Sequence, residues 1–546
     1  MSALEKVNRI NYYFSFVLTA FLVLLLFSIV QDKHAIRIYF NSDTLYLPSL
    51  FQDIFVHRSG IADWHLNAAP NFFPDMLLYF LLMSVLKKTA LTSMVYSIIQ
   101  VLILLVLINW SIRVLIPRIS YSGLLLINFT FLLILVSPVC GEGNLIPAQV
   151  LLPAYHCGFF INSLLSFVLM FRTIQTGKRW MLVVMGILVV VAVISDRLYI
   201  VGFVIPAMVV SVMNIIRRPS ERRFIWVILM TIFSTLLGLF LFRMLKVATS
   251  LHIIGTSWKM FNFENIAGSF QVLLNHMKAV IIQYPVQRWL VFLMLFFMIG
   301  GLATLAVRVG KFLKDELEGE AKDRYQLVLF MWIFVMVVFF TPVINGSYVG
   351  QAIIRYNFAG LVMGSVGSAF LLACWLSGSL PWRKGLSWGM LLITAGLIGL
   401  SVSKSIHHRL FRGIDSFVHH YPELSRILDD LQQEHGLTYG IANYWQAKNT
   451  MIFSRNDVRL YAVHDRTFRP SYHVTNENWY HKGGKGKYAD PVFNYIVTDG
   501  FQQTGELKEL FGQRMDTIYN REGYTVVKVP PYRFDRGSRE IFLMDP

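Results

Sequence analysis

The chain has 546 residues, 55% of them hydrophobic and only 15% charged, with a formal net charge of +17. Long apolar runs recur from residue 12 to residue 403. A bilayer core takes about 20 apolar residues per helical crossing, so this composition excludes an ordinary water-soluble globular protein and points to a multipass α-helical membrane protein. In a soluble chain such a charge would suggest nucleic acid. Here the Lys and Arg fall largely in short loops between apolar runs, as cytoplasmic loops do, and not along a basic stripe, so no nucleic-acid partner is expected.

In chain order, the first apolar run, Tyr12 to Val30, is longer than a signal-peptide core and lacks a small-residue cleavage site; it reads as a retained first span. Lys6 and Arg9 precede it, and basic loops follow at Arg172 to Arg179, Arg217 to Arg223, Arg308 to Arg324, and Arg383 with Lys384. Placing these inside predicts eleven spans near 12–31, 92–115, 121–138, 157–172, 180–195, 198–216, 224–246, 286–308, 326–343, 357–378 and 385–403. The N-terminus is then inside and the C-terminal segment outside. The stretch "FFPDMLLYFLLMSVLKKT", residues 72–89, is apolar but short, and counting it as a crossing would move two basic loops outside. A helix lying along the outer interface fits both length and parity. The first external loop then runs over residues 32–91 and holds Asp43, Asp53, Asp63, His65 and Asp75. Cys140 and Cys157 sit at the two ends of the second external loop, where a disulfide is open but free core cysteines are the preferred reading.

Residues 404–546 change character, being rich in charge, Tyr, Gly and Asn, with no run long enough to span. A helical pattern at "YPELSRILDDLQQEHG" precedes strand-like "LTYGIAN", "VRLYAV" and "FNYIVTD", then a short helix "GELKELF" and strand-like "GYTVVKVP". Alternating strands and helices predict a small α/β extracytoplasmic domain. "HKGGKGKY" at 481–488 lacks the spacing of a phosphate-binding loop and reads as a surface loop. No internal repeat is found.

Several residues in the external loops have chemistry to offer. Asp43, in "NSDTLY", is partly desolvated by Leu45, Tyr46 and Leu47, a setting that can raise a carboxylate pKa and suit a general base; the alternative is that it caps a helix starting at Thr44. Asp53 reads as a solvated face of the same helix. The second external loop, "SPVCGEGNLIPAQVLLPAYHCGFF", holds Glu142 and His156. In "ISDRLYIVGF", Asp196 and Arg197 interrupt an apolar stretch from 181 to 216; charges so near lipid tend to be paired or functional, and a tight hairpin accounts for them equally well. "GQAIIRYNFAGLV" places Arg355 and Tyr356 at the outer start of the tenth span, against the positive-inside trend; the alternative is a snorkelling anchor. Trp258, Phe261 and Phe263 near Lys259 suit stacking on a sugar or resting at the interface, and belt residues are the commoner case. "NYWQAKN" at 443–449 follows a strand, and could line an acceptor site, with ordinary packing the better reading for Trp445.

A long first external loop with carboxylates, then "NFFPDMLLYFLLMSVLKK" as a Pro-led helix along the membrane, then a span ending in a basic residue, resembles the GT-C superfamily of membrane glycosyltransferases. The similarity covers about the first two hundred residues, as a pattern of spans and loops. It implies a GT-C-like fold and inverting transfer of a sugar from a polyprenyl-phosphate-type lipid donor to an acceptor on the outer face, in a bacterial inner membrane. It implies that Asp43 is the catalytic base, with Glu142 as the second acidic residue that assists catalysis or a divalent metal ion. Arg355 with Tyr356, and Arg197, would bind the donor phosphate, while Asp196, His156, Tyr46, Asp75 and His65 would line the cavity or meet the acceptor. Asp43, Glu142 and His156 are acceptable metal-ligand types, but no close-spaced ligand pair appears. The other readings are a transporter or flippase of lipid-linked sugars, an O-antigen-ligase-like enzyme that relies on arginines, and a silent binding or scaffolding member.

Overall fold

The computed structural model describes residues 3–30, 33–142, 145–248, 251–254, 263–350, 353–376, 380–481, 490–502, 505–537 and 540–544. Most of the aromatic stretch at 258–263 and of the loop at 481–488 lies outside them.

The chain opens with α1 (Ala3–Ile29), α2 (Lys33–Tyr39) and α3 (Tyr46–Phe51), a short strand β1 (His65–Leu66), and α4 (Leu77–Leu86). Then come α5 (Thr89–Leu115), α6 (Tyr121–Val139), α7 (Leu145–Leu151), α8 (Cys157–Thr176), α9 (Arg179–Ser195), α10 (Ile205–Arg217) and α11 (Arg222–Ala248). Beyond β2 (His252–Ile253) lie α12 (Ile266–Gln283), α13 (Gln287–Leu313), α14 (Gly319–Ile344), α15 (Ile354–Leu376), α16 (Leu380–His407) and α17 (Leu410–Val418).

Ten described helical stretches are long and apolar enough to cross a membrane, so the chain is a multipass membrane protein. They overlap ten of the eleven expected spans; the remaining one, α9, has 17 residues, about 25 Å of helix, and is among the shorter apolar helices together with Phe72–Leu86. Leu77, Leu81 and Val85 form an exposed stripe on α4 at helical spacing, as an interfacial helix requires.

Small residues let the spanning helices approach closely. A Cβ added at Gly367 on α15 would meet the Phe297 ring of α13 at 2.6 Å, and one at Gly364 would meet Met294 at 2.7 Å. Buried amides join α1, α5 and α6: Asn109 donates to Asn128 (2.7 Å), which donates to the Ser15 hydroxyl (2.8 Å). The helices alternate in direction. At one end, Arg217 closing α10 pairs with Asp315 beyond α13 (2.9 Å), and Arg223 in α11 donates to the Ile174 carbonyl of α8. The basic loops between helices are therefore gathered at that end, and the long loops with the C-terminal domain lie at the other.

That domain contains α18 (Glu423–His435), β3 (Tyr439–Ala442), α19 (Tyr444–Phe453), β4 (Arg459–Ala462), β5 (Phe493–Val497), α20 (Gly505–Phe511), β6 (Asp516–Arg521), β7 (Tyr524–Phe534) and β8 (Ile541–Leu543). Its sheet runs in the order β4-β3-β5-β7-β6, with β8 also on β7; β3 is parallel to β4 and β5, and β7 is antiparallel to its neighbours. The membrane part extends beyond residue 403: α16 continues to His407, and Phe417 of α17 packs against Phe27 of α1 (4.6 Å between ring centres) and Phe40 (5.0 Å). None of the three cysteines forms a disulfide, Cys157 being buried and Cys140 exposed.

Candidate functional site

The loop after α2 turns sharply because the Asn41 side-chain oxygen accepts from the amides of Asp43 (2.9 Å) and Thr44 (3.0 Å). Asn41 therefore does the local capping, and α3 begins only at Tyr46 without a side-chain cap. The Asp43 carboxylate is turned instead into a small cavity lined by Asp43, Tyr46, Asn67, Ala154, Tyr155, His156 and Arg355. These residues come from the first long loop, the segment before α8 and the start of α15.

Arg355 approaches Asp43 to 3.8 Å and lies over the ring of its neighbour Tyr356 at 5.1 Å. Tyr356 in turn meets the His156 ring at 4.9 Å. His156 adopts a left-handed backbone conformation, φ 67°, at the mouth of α8, and its Nδ1 lies 2.7 Å from the Asp196 carboxylate. Asp196 thus orients a cavity residue, while Arg197 faces elsewhere: its guanidinium donates to the Ala68 carbonyl (3.2 Å) and lies over Phe242. The two charges of this hairpin do not pair with each other but tie it to different partners.

The C-terminal domain also reaches Asp43 and its neighbour Ser42. The Tyr444 hydroxyl donates to Asp43 at 2.5 Å, and the Ser42 hydroxyl donates to the Tyr444 carbonyl. One helical turn on, Lys448 is fully buried and donates to the carbonyls of Ser42 (3.1 Å) and Val474 (2.6 Å). Burial lowers its pKa to about 7 against the pull of the Asp43 charge. The His473 Nε2 lies 3.8 Å from Asp43, and burial likewise pushes this imidazole below its ordinary value. Burial, reinforced by Asp43, raises the Tyr155 phenol to about 12.

Of the expected residues, Asp43, Tyr46, His156, Arg355 and Tyr356 are brought together, with Asp196 directly behind. Asp75 stands one layer deeper: it is buried, and its Oδ1 accepts from the Tyr96 hydroxyl (2.8 Å) and the amide of Ala154 (3.1 Å), a cavity residue. Glu142 does not line the cavity. Its carboxylate caps α13 by accepting from the amides of Val286 and Gln287 (3.0 Å to the latter), where a helix N-terminus favours negative charge. His65 stands outside the cavity too, its Nε2 3.4 Å from Glu477.

Asp53 is not solvated. It is 1% exposed and accepts from the indoles of Trp64 (3.0 Å) and Trp479 (2.9 Å) and from the Asn476 amide (2.8 Å), joining the first loop to the C-terminal domain. Trp445 is 60% exposed, so the packing role read for it does not hold. The useful residues of "NYWQAKN" are its neighbours Tyr444 and Lys448. The sequence reading also missed Tyr155, Asn67 and His473; only Tyr155 had a local signal, adjacency to His156.

Asp43, Glu142 and His156 do not converge, since one faces Arg355, one caps α13 and one bonds Asp196. As arranged, they do not form a metal site, and no metal-dependent step is derived from them.

No protein-family model matches the chain, and no curated protein matches it significantly.

Proposed function

We propose that this protein is a GT-C-like glycosyltransferase that moves a sugar from a polyprenyl-phosphate-type lipid to an acceptor hydroxyl at the external face of a bacterial inner membrane, with the C-terminal domain on that face. The observation that carries the reading is the meeting of Asp43 and Arg355 at 3.8 Å in one cavity, a carboxylate from the loop after α2 and a cation from the start of α15.

In such a transfer Asp43 takes the proton of the acceptor hydroxyl while the oxygen attacks the anomeric carbon. The bond from that carbon to the phosphate oxygen breaks, and its electron pair leaves with the phosphate, giving inversion. Arg355 releases Asp43 as the donor enters and neutralises the growing phosphate charge, the role a preorganised cation plays best in a water-poor cavity. His156, fixed by Asp196 and resting on Tyr356, keeps the Arg355–Tyr356 pair in place. Support for a lipid donor comes from a separate groove of about 950 Å³ walled by Phe51, Phe55, Phe80, Leu81 and Met451, whose apolar walls suit an isoprenoid chain.

The test is release of polyprenyl phosphate from a panel of lipid-linked sugars by the purified full chain in lipid nanodiscs, with a mixed pool of envelope saccharides and lipids as acceptor. A general base contributes about 10²–10⁴-fold, so Asp43→Asn should lose release by that factor while eluting as wild type does. Release indifferent to Asp43→Asn but abolished by Arg355→Gln would favour the arginine-dependent ligase mechanism instead, and no release from any donor would sink the reading.

A further inference from the structure

We propose that His65, His252 and Glu477 form a divalent-metal site, of the class zinc occupies, that clips two external loops to the C-terminal domain. The site is separate from the sugar-transfer cavity, and its test does not depend on that activity.

Three segments far apart in sequence deliver the donors. Strands β1 and β2 pair in parallel with His65 directly opposite His252, which brings the two imidazoles side by side, ring centres 4.6 Å apart and 15° from parallel. Glu477 opens a 3-10 turn whose amide donates to the Asp63 carbonyl (2.9 Å), and the His65 amide donates to the Thr475 carbonyl (2.8 Å). That lacing brings a Glu477 oxygen to 3.4 Å from His65 Nε2. One nitrogen from each histidine and one carboxylate oxygen all lie within 4.8 Å of one another, and among the described residues this is the one such group of three.

The surroundings suit a metal better than a simple ion pair. One carboxylate faces two stacked imidazoles at once, while Arg536 approaches its other oxygen at 3.5 Å, leaving one oxygen toward the histidines. Tyr472 stacks on His65 at 4.8 Å and 15°, which sets the plane of the ring in the arrangement seen here. Two imidazoles and a carboxylate are a familiar zinc donor set that leaves one position for water. Bonds of about 2.0–2.1 Å put tetrahedral donors roughly 3.3 Å apart, so the group must contract and the two rings must tilt towards a common point.

The mechanical consequence reaches the cavity. Tyr472, Thr475 and Glu477 flank His473, whose ring lies 3.8 Å from Asp43. A metal at Glu477 fixes that end of the segment to the loops that carry His65 and His252, and metal binding to a folded site adds directly to the folding free energy.

The experiment uses the full chain in detergent with any histidine tag removed, stripped with chelator, reloaded with zinc and desalted. Elemental analysis should find about one zinc per chain, and the zinc should raise the thermal unfolding midpoint and slow proteolysis between residues 472 and 481. His252→Asn and Glu477→Gln, on different segments, should each reduce zinc to background and remove the thermal gain. Background zinc in the wild type, or undiminished zinc in both variants, overturns the proposal. Because stripped and loaded wild type can be compared directly, the proposal stays testable even if a variant folds poorly: identical proteolysis of the two forms overturns the clip.

Discussion

The Arg355 guanidinium stands 3.8 Å from the Asp43 carboxylate although one residue lies in the loop after α2 and the other at the start of α15. Each compensates the other in a partly enclosed cavity, so removing one leaves a charge the site was built to balance. Asp43→Asn and Arg355→Gln should each lower the unfolding midpoint, and the double variant should lose less than their sum. A double-mutant cycle in detergent should give a coupling on the order of 1 kcal/mol; strict additivity would mean that the pair is not energetically linked. In the proposed transfer, Arg355→Lys should recover only part of the rate lost in Arg355→Gln, since a point charge does not reproduce the planar fork.

Asp53 predicts a different kind of failure. Its buried carboxylate accepts from two indoles and an amide, with Trp479 and Asn476 belonging to the C-terminal domain. Asp53→Ala leaves those donors without an acceptor in a dry junction, and hydrogen bonds to a buried charge contribute about 1.5–3 kcal/mol each. The variant should lose on the order of 3 kcal/mol and expose the 472–481 segment to protease before the membrane helices unfold. Simultaneous loss of both parts would show that the junction is not a separate weak point.

Gly158 has a packing reason to lack a side chain. A Cβ there would lie 2.0 Å from the Asp75 Oδ2, whereas one at Gly268 on α12 meets nothing within 4 Å. Gly158→Ala must displace the buried carboxyl that holds the Ala154 amide beside the cavity, at a cost of about 1–3 kcal/mol. Gly268→Ala should be neutral or stabilise by up to about 1 kcal/mol through helix propensity. Thermal unfolding of the two single variants distinguishes them, and equal effects would contradict the packing.

What could be read from sequence follows the range of the forces involved. Apolar run length fixes membrane helices locally, so ten of the eleven spans, the short Pro-led apolar helix and four of the six strands of the C-terminal sheet were legible. Asp43 and Arg355 stood out because each is a charge in an apolar setting. Asp53 did not, because the two indoles and the amide that bury it come from positions 64, 476 and 479, and nothing at residues 50–56 announces them. Glu142 carried the right charge in the right loop, but the partner that claims it is the N-terminus of α13. Tyr444 and Lys448 share a helix face by their spacing, yet their importance depends on Ser42 and Asp43 from the opposite end of the chain.

Lys448 makes stability depend on pH in a direction its burial dictates. Its pKa is about 7 in the fold against an ordinary 10.5, so between those values the unfolded chain holds a proton that the folded chain has released. Stability contributed through this residue must therefore rise as pH climbs through that window, by about 1.4 kcal/mol per pH unit, and level off below about pH 7, where both states are protonated. Other groups titrate over the same range, so the useful quantity is the difference between wild type and Lys448→Met, which keeps the stem's volume without a charge. Unfolding followed from about pH 6.5 to about pH 9.5 should show wild type gaining on the variant as pH rises. Below about pH 7, where the folded protein carries a buried ammonium held only by the Ser42 and Val474 carbonyls and the Asp43 charge, wild type has its smallest advantage. A constant difference across the range would mean that Lys448 keeps its ordinary pKa, and that the ammonium is solvated or paired more closely with Asp43 than these contacts require.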